Sequence, residues 1–119
     1  MPNLALGKAG EDYALQLLKK QGYKIIARNF RSKFGEIDIV AQHNKELVFI
    51  EVKTRWSKRF GVPEEAVTLR KLQHLTRAAE YFKLRNPQTP AVMRFDVVSI
   101  EIKNGIVVDA RVLQNVTGF

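Results

Sequence analysis

The strongest constraint on the fold comes from two short runs in the middle of the chain, GEIDIVA at 35–41 and LVFIEVK at 47–53. Each run combines alternating charges with β-branched or aromatic residues, the pattern of a strand, and HNKE lies between them. This spacing predicts a β-hairpin with a two-residue turn at Asn44 and Lys45. Because both runs are too apolar for an exposed edge, we expect them to be central strands of a sheet.

Two helices and three further strands are expected around this hairpin. Apolar residues at helical spacing predict a first helix from about residue 5 to 21, and Thr68 as N-cap predicts a second helix that ends at Asn86-Pro87. Asn104-Gly105 is a strong turn signal between two late strands. The predicted strands are 23–30, 35–41, 47–53, 94–102 and 106–113, with a loop at 54–63. The order α-β-β-β-α-β-β predicts an α/β fold, a mixed central sheet flanked by helices.

The length and charge of the chain limit the classes of protein and partner to be considered. A length of 119 residues suits one domain, 1–119, and the chain has no cysteine for a disulfide or a thiolate metal site. No apolar run approaches the roughly 20 residues that cross a bilayer, and no signal core begins the chain, so we expect a cytoplasmic protein with no membrane partner. Lys and Arg number 20 against 12 Asp and Glu, a net charge of +8. This balance favours a polyanionic partner, nucleic acid first, with a merely basic surface as the alternative.

Like charges are predicted to face each other across the central hairpin. With the two-residue turn, Asp38 lies opposite Glu51, and Glu36 then faces Lys53. The other face of the first strand would carry Ile37, Ile39 and Ala41. Opposed carboxylates are destabilising unless one is protonated, a lysine neutralises them, or a hard divalent cation such as Mg²⁺ binds between them. A silent, solvent-facing ladder of charges is the alternative.

Basic and aromatic residues follow these strands in the sequence. TRWSKRFG begins directly after Lys53, and the second helix carries cations near its start. Such a mixture grips phosphates and stacks bases, although the aromatic residues would also suit packing and the cations solvation. The predicted nucleic-acid-binding residues are Arg55, Trp56, Lys58, Arg59, Arg70 and Lys71.

An acidic residue on one strand followed by Glu-x-Lys on the next resembles the PD-(D/E)xK nuclease superfamily. Four segments, GKAGE at 7–11, GEIDIVA at 35–41, VFIEVKTR at 48–55 and the later EEAVTLRK, together resemble the YraN-like family of bacterial endonuclease-like proteins. That family is similar in turn to archaeal Holliday junction resolvases. The resemblance covers nearly the whole chain and implies a restriction endonuclease-like fold.

By position, the resemblance implies a catalytic site of three acids and one lysine. Asp38 and Glu51 would be ligands of Mg²⁺ or Mn²⁺, with Lys53 as the catalytic lysine. Glu11, on the first helix, would complete the acidic cluster as a further metal ligand. Ile37 stands where the superfamily has its eponymous proline. The resemblance further implies a DNA endonuclease that acts on branched or structured DNA, and a homodimer is consistent with it.

Two other functions compete with this interpretation. The first is a non-catalytic nucleic-acid-binding module that retains the nuclease fold, and the second is a protein-interaction module with a vestigial site. Glu11 also has a purely structural explanation, because an acid near a helix N-terminus is stabilised by the helix dipole.

Overall fold

Strand order in the sheet follows the order of the strands in the chain. The computed structural model of the protein describes residues 4–55 and 69–117. In chain order the elements are α1 (Leu4–Lys20), β1 (Lys24–Ser32), β2 (Gly35–His43), β3 (Glu46–Arg55), α2 (Leu69–Arg85), β4 (Met93–Lys103) and β5 (Ile106–Leu113). A 5-stranded sheet with order β1-β2-β3-β4-β5 makes β3 the central strand. The predicted α/β class and element order are therefore confirmed.

The central hairpin has the predicted turn. His43 pairs with Glu46, and Asn44 and Lys45 have left-handed φ angles of 51° and 64°. Two successive left-handed residues are typical of a type I′ turn, whose twist matches that of the strands it joins. The β4–β5 hairpin repeats this geometry at residues 104 and 105, where φ is 53° and 76°.

β3 is longer than predicted, because it remains paired with its parallel neighbour β4 beyond residue 53. β3 and β4 are parallel, whereas the other neighbouring strands are antiparallel. Pairing continues to Arg55 opposite Glu101, so β3 includes Thr54, where the sequence predicted a loop. β1 likewise runs to Ser32, past its predicted end. The rest of that loop, residues 56–63, and the predicted N-cap Thr68 lie outside the described residues.

The helices cover opposite faces of the sheet and define two cores. One core joins α1 to the sheet, and its fully buried residues include Ala14, Leu18, Ile39, Val48, Ile50, Val98 and Ile100. The other core joins α2 to the sheet through Ile37, Phe49, Ala78, Ala79, Phe82 and Phe95. Period-two alternation explains this division, since successive residues of β3 enter different cores. Of the described helices, neither is long and apolar enough to cross a membrane.

Ile37 packs on the face opposite to the one predicted. It lies with Phe49 in the α2 core, whereas Ile39 lies in the α1 core. The β1–β2 ladder pairs Arg28 with Ile39 but is interrupted at the next position, where Asn29 has a φ of 51°. The alternation of β2 does not continue from Ile39 to Ile37, although the β1–β2 register is the same on both sides of Asn29. The interruption lies directly opposite Asp38.

A buried ionic network links Arg94 and Asp96 of β4 to Tyr23 and to Asn115 of the C-terminal segment. The Asp96 side chain is 0% exposed and accepts hydrogen bonds from Nε and Nη2 of Arg94, both at 2.9 Å. The Tyr23 hydroxyl donates to the same carboxylate at 2.7 Å, and the backbone N–H of Asn115 donates at 2.9 Å. Burial, followed by the hydrogen bond and charge of Asp96, raises the pKa of Tyr23 to about 12. The carboxylate is thus fully surrounded by donors, as a buried charge requires.

Arg94 extends this network to the central hairpin. Its Nη1 donates to Glu46 Oε1 at 3.0 Å, and its Nη2 lies 2.9 Å from Nδ1 of His43. The His43 ring stacks on Tyr23 with centroids 4.0 Å apart and planes 9° apart. The network therefore fixes the turn end of the hairpin to β4 and to the end of α1.

Candidate active site

Charged side chains meet where β2 and β3 separate. The strands are paired as far as Ile39 and Ile50, and the residues just beyond, Asp38 and Glu51, line one pocket. Lys71 of α2 lines the same pocket, whose volume of about 50 Å³ holds a few water molecules. Apolar side chains complete its wall, among them Ile37, Phe49, Leu75, Phe95, Val97 and Val116. The predicted convergence of Asp38 and Glu51 therefore occurs at the end of the hairpin ladder.

Asp38 reaches across the gap between the strands. Its Oδ2 accepts a hydrogen bond of 2.8 Å from the backbone N–H of Val52. In a continued ladder that N–H would donate to the carbonyl of Ile37, so the side chain replaces the lost backbone acceptor. Burial raises the pKa of Asp38 from 3.8 to about 6 against the lowering effect of this hydrogen bond, and the charges of Glu51, Glu11 and Glu36 raise it further. A cation in the pocket would stabilise the ionised form of Asp38.

Glu51 has one occupied and one unsatisfied oxygen. Its Oε1 accepts a hydrogen bond from Lys71 and lies 3.6 Å from Nζ of Lys53. Its Oε2 is buried and has no hydrogen-bond partner among the residues that the structure describes. A buried carboxylate oxygen without a partner is destabilising, because it has lost water and gained nothing in exchange. The position therefore favours a further cation or donor at Oε2.

Lys53 lies beside Glu51 with its amine half-buried. Burial lowers the pKa of Lys53, the charge of Glu51 opposes that change, and the neighbouring Lys71 lowers it further. More of the neutral amine is present near neutral pH than for an exposed lysine, so Lys53 is suited to accept or relay a proton.

Glu11 lies near the site and is bound to another residue. Its Oε1 accepts a hydrogen bond of 3.1 Å from Nη2 of Arg28, which also contacts Asp12 at 2.9 Å. Its charge contributes to the raised pKa of Asp38, which indicates proximity. The structure thus places Asp38 and Glu51 in one pocket with Lys53 beside Glu51, and Arg28 binds Glu11.

The donor set fits a hydrated Mg²⁺ or Mn²⁺ better than an ion enclosed by protein. Within residues 4–55 and 69–117, no cluster of three or more acidic or histidine side chains could hold a metal ion. Mg²⁺, however, usually keeps several waters and is bound through one or two carboxylates. Asp38 and the unsatisfied Oε2 of Glu51 supply such oxygen ligands, and the pocket holds a few waters.

Glu36 does not face Lys53 as the sequence predicted. The paired part of β2 and β3 ends at Ile39 and Ile50, three residues before Glu36 would be reached. Glu36 instead pairs with Arg31 of β1, with Nε and Oε2 3.4 Å apart. The interrupted ladder explains the difference, because cross-strand register cannot be extended past the last paired residues.

Gly10 permits α1 to approach β3 beside the site. A Cβ at this buried position would lie 2.6 Å from Oγ1 of Thr54, the residue after Lys53. The GKAGE segment therefore combines a close helix–strand contact at Gly10 with the acid at Glu11.

We expect Gly10→Ala to lower the free energy of unfolding by about 1–3 kcal/mol, because the added methyl overpacks the contact with Thr54. The double variant with Thr54→Ala removes the clashing oxygen and should recover most of the loss. Urea denaturation of the three proteins checks this. A single variant as stable as the natural protein would contradict the close contact.

The predicted nucleic-acid-binding residues have different positions. Arg55 is partly exposed at the end of β3, and Arg70 is exposed at the start of α2. Lys71 points into the pocket and contacts Glu51. Trp56, Lys58 and Arg59 lie outside the described residues.

Lys71 faces inward, whereas the sequence predicted it as a residue that binds nucleic acid. Lys71, Leu75, Ala78 and Phe82 follow one another at spacings of four, three and four residues, the spacing of one helix face. The last two are buried against the sheet. This stripe was a signal that Lys71 faces inward, although it did not indicate the contact with Glu51.

Comparisons with known proteins identify the family. The model of the uncharacterised protein family UPF0102 matches residues 10–100. A UPF0102 protein of Caldicellulosiruptor saccharolyticus is 48% identical over 112 residues, which cover 92% of this chain and 94% of the relative. A UPF0102 protein of Syntrophomonas wolfei is 48% identical over 103 residues, 87% of this chain and 90% of the relative. One of Dictyoglomus thermophilum is 41% identical over 117 residues, 97% of this chain and 98% of the relative. The chain therefore belongs to the uncharacterised protein family UPF0102, the YraN-like family that its motifs resemble.

Proposed function

We propose that this protein is a metal-dependent DNA endonuclease with a restriction endonuclease-like fold, which hydrolyses phosphodiester bonds. One observation carries the proposal: Asp38 and Glu51 share a pocket beside the amine of Lys53, and Glu51 Oε2 is buried there with no hydrogen-bond partner within residues 4–55 and 69–117. An acidic pocket in a chain of net charge +8 is unusual, because most of the charge would attract a polyanion while the pocket repels it. A cation in the pocket resolves this conflict.

Each side chain has a role that follows from its surroundings. Asp38, fixed by the N–H of Val52, and Glu51 would hold Mg²⁺ or Mn²⁺. When bound, the metal supplies a water of lowered pKa and positive charge for the phosphodiester transition state. Lys53 orients the attacking water and accepts its proton at Nζ, since burial has lowered the pKa of its amine. Glu11 remains a candidate third acid once it leaves Arg28.

DNA with branches or other structure is the proposed substrate class, and the cytoplasm the proposed location. Arg55 and Arg70 supply cations for the phosphate backbone, which would position the substrate without reading its sequence. Cleavage of two strands at a junction requires two sites, so the proposal includes a homodimer.

A cleavage screen tests the proposal. Purified protein is incubated with single-stranded, duplex, flap and four-way DNA in the presence of Mg²⁺ or Mn²⁺. We expect cleavage that requires the divalent ion, is greatest on branched DNA and is lost in Glu51→Gln. Asp109→Asn, which removes a carboxylate from β5, is the matched control. Absence of cleavage for every DNA and both ions would refute the proposal.

A non-catalytic nucleic-acid-binding module is the second candidate. The contact between Lys71 and Glu51 favours it, because an ammonium already neutralises the carboxylate without a metal. On this alternative the protein binds DNA with a steep dependence on salt, cleaves none, and binds equally well after Glu51→Gln.

A further inference from the structure

Two lysines flank the carboxylate of Glu51. Lys71 lines the same pocket as Asp38 and Glu51, and Lys53 lies beside Glu51. Oε1 of Glu51 lies close to both amines, so two cations share one oxygen, while Oε2 has no hydrogen-bond partner in the described part of the chain. A divalent ion on Glu51 would bring the local cation count to three. Such crowding is unfavourable unless one ammonium moves away.

Lys71 is the ammonium that the proposed function leaves without a part in the reaction. It is the third residue of α2, whose backbone is fixed by the buried side chains of Ala78, Ala79 and Phe82. Its side chain is 31% exposed and has a flexible four-carbon stem, so Nζ can turn towards solvent without moving the helix. The Lys53 side chain is 32% exposed and equally flexible, but the proposed function already uses its amine at the attacking water.

We propose that Lys71 is an exchangeable counter-cation of Glu51: a divalent ion displaces its ammonium from the carboxylate, and the displaced ammonium then binds a phosphate of DNA at the mouth of the pocket. This inference rests on the proposed function, because it assumes that the divalent ion binds Asp38 and Glu51. It assigns Lys71 two partners in succession, a carboxylate and a phosphate.

Exchange of this kind couples the two ligands. Metal binding frees an amine for DNA, and DNA holds that amine away from Glu51, so each ligand strengthens the binding of the other by the same factor. Removal of the amine should therefore strengthen metal binding and weaken the coupling. A lysine that merely stabilises the fold would give neither effect.

The metal arm of the test uses Mn²⁺ alone. Free Mn²⁺ is measured by electron paramagnetic resonance during titration of the natural protein, Lys71→Met and Lys71→Gln, without DNA. We expect both variants to bind Mn²⁺ at least about fivefold more tightly, the lower end of typical coupling energies. The matched control is Arg77→Met, which removes one positive charge from an exposed position six residues later on α2 and should leave Mn²⁺ affinity near that of the natural protein. Circular dichroism verifies that each variant is folded.

The DNA arm uses a labelled four-way junction and fluorescence anisotropy, with and without Mn²⁺. Mn²⁺ should raise the affinity of the natural protein for the junction at least about fivefold, and should raise that of Lys71→Met much less. Equal Mn²⁺ affinity in the natural protein and both Lys71 variants would overturn the inference alone. If none of the proteins binds Mn²⁺, the metal site of the proposed function fails and the inference with it.

Discussion

Replacing Asp38 with asparagine should abolish metal-dependent cleavage and at the same time make the metal-free protein more stable at neutral pH. Asparagine retains an oxygen that can accept the N–H of Val52, so the local hydrogen bond survives. It lacks the negative charge that would bind a divalent ion, and we expect cleavage to fall about a hundredfold to a thousandfold, as when a major electrostatic group is lost from an active site. The gain in stability follows from the raised pKa of Asp38.

The direction of this change in stability follows from the pKa of Asp38 in the folded and unfolded states. Asp38 has a pKa of about 6 in the folded protein and an ordinary value of 3.8 otherwise. Between these values the folded state binds more protons, so stability falls as pH rises from about 4 to 6, and the full penalty applies above that window. At about 1.4 kcal/mol per pKa unit, the penalty is about 1–3 kcal/mol, where the lower end allows for partial exposure of the carboxylate.

Denaturant unfolding in the presence of a chelator measures this effect. Asp38→Asn should exceed the natural protein in free energy of unfolding at pH 7.5, and the difference should shrink as pH falls towards 4.5. Asp109→Asn, at a carboxylate that is 40% exposed beside Arg111, should show no comparable gain. A variant that is less stable than the natural protein at pH 7.5 would contradict the account of Asp38.

Removal of the Arg94 guanidinium should cause the largest loss of stability of any variant discussed so far. Arg94→Met leaves the fully buried Asp96 carboxylate without its charged partner and removes the contacts to Glu46 and His43. Breaking a buried ion pair from one side costs about 3–5 kcal/mol, because an uncompensated charge remains in the interior. Such a loss is a large part of the free energy of unfolding of a small domain.

Arg111→Met is the matched control for this prediction. It makes the same substitution in an ion pair of 3.3 Å to Asp109, where the arginine side chain is 58% exposed. An exposed pair contributes about 0–1 kcal/mol, so thermal and urea unfolding should separate the two variants clearly. Equal losses in the two proteins would mean that the buried network contributes no more than a surface pair.

The sequence predicted the parts of the site that depend on local pattern. Alternation and the two-residue turn predicted that Asp38 and Glu51 converge, and both line one pocket, although strand pairing ends at Ile39 and Ile50. The position of Ile37 in the α2 core was not predicted, because strict alternation along β2 places it on the same face as Ile39. The ion pair between Arg94 and Asp96 had a local signal, because residues two apart on a strand share a face.

Contacts between elements that are distant in the chain could not be predicted from local sequence patterns. Lys71 reaches Glu51 because α2 packs on the face of the sheet where Phe49 and Phe95 lie, and no periodicity within either element specifies that approach. The same holds for Arg28, which is on β1 and holds Glu11 of α1. Both are side-chain pairings that depend on how the layers are stacked.

The tight turn at Asn44 and Lys45 sets the register of β2 and β3, and so determines where Asp38 and Glu51 lie at the far end of the hairpin. Asp38 is six residues from Asn44, about 20 Å along an extended strand. Gain or loss of a single residue at the tip would slide one strand past the other and turn either Asp38 or Glu51 out of the pocket. Insertions and deletions at this remote tip should therefore be as damaging to the reaction as changes to the acids themselves.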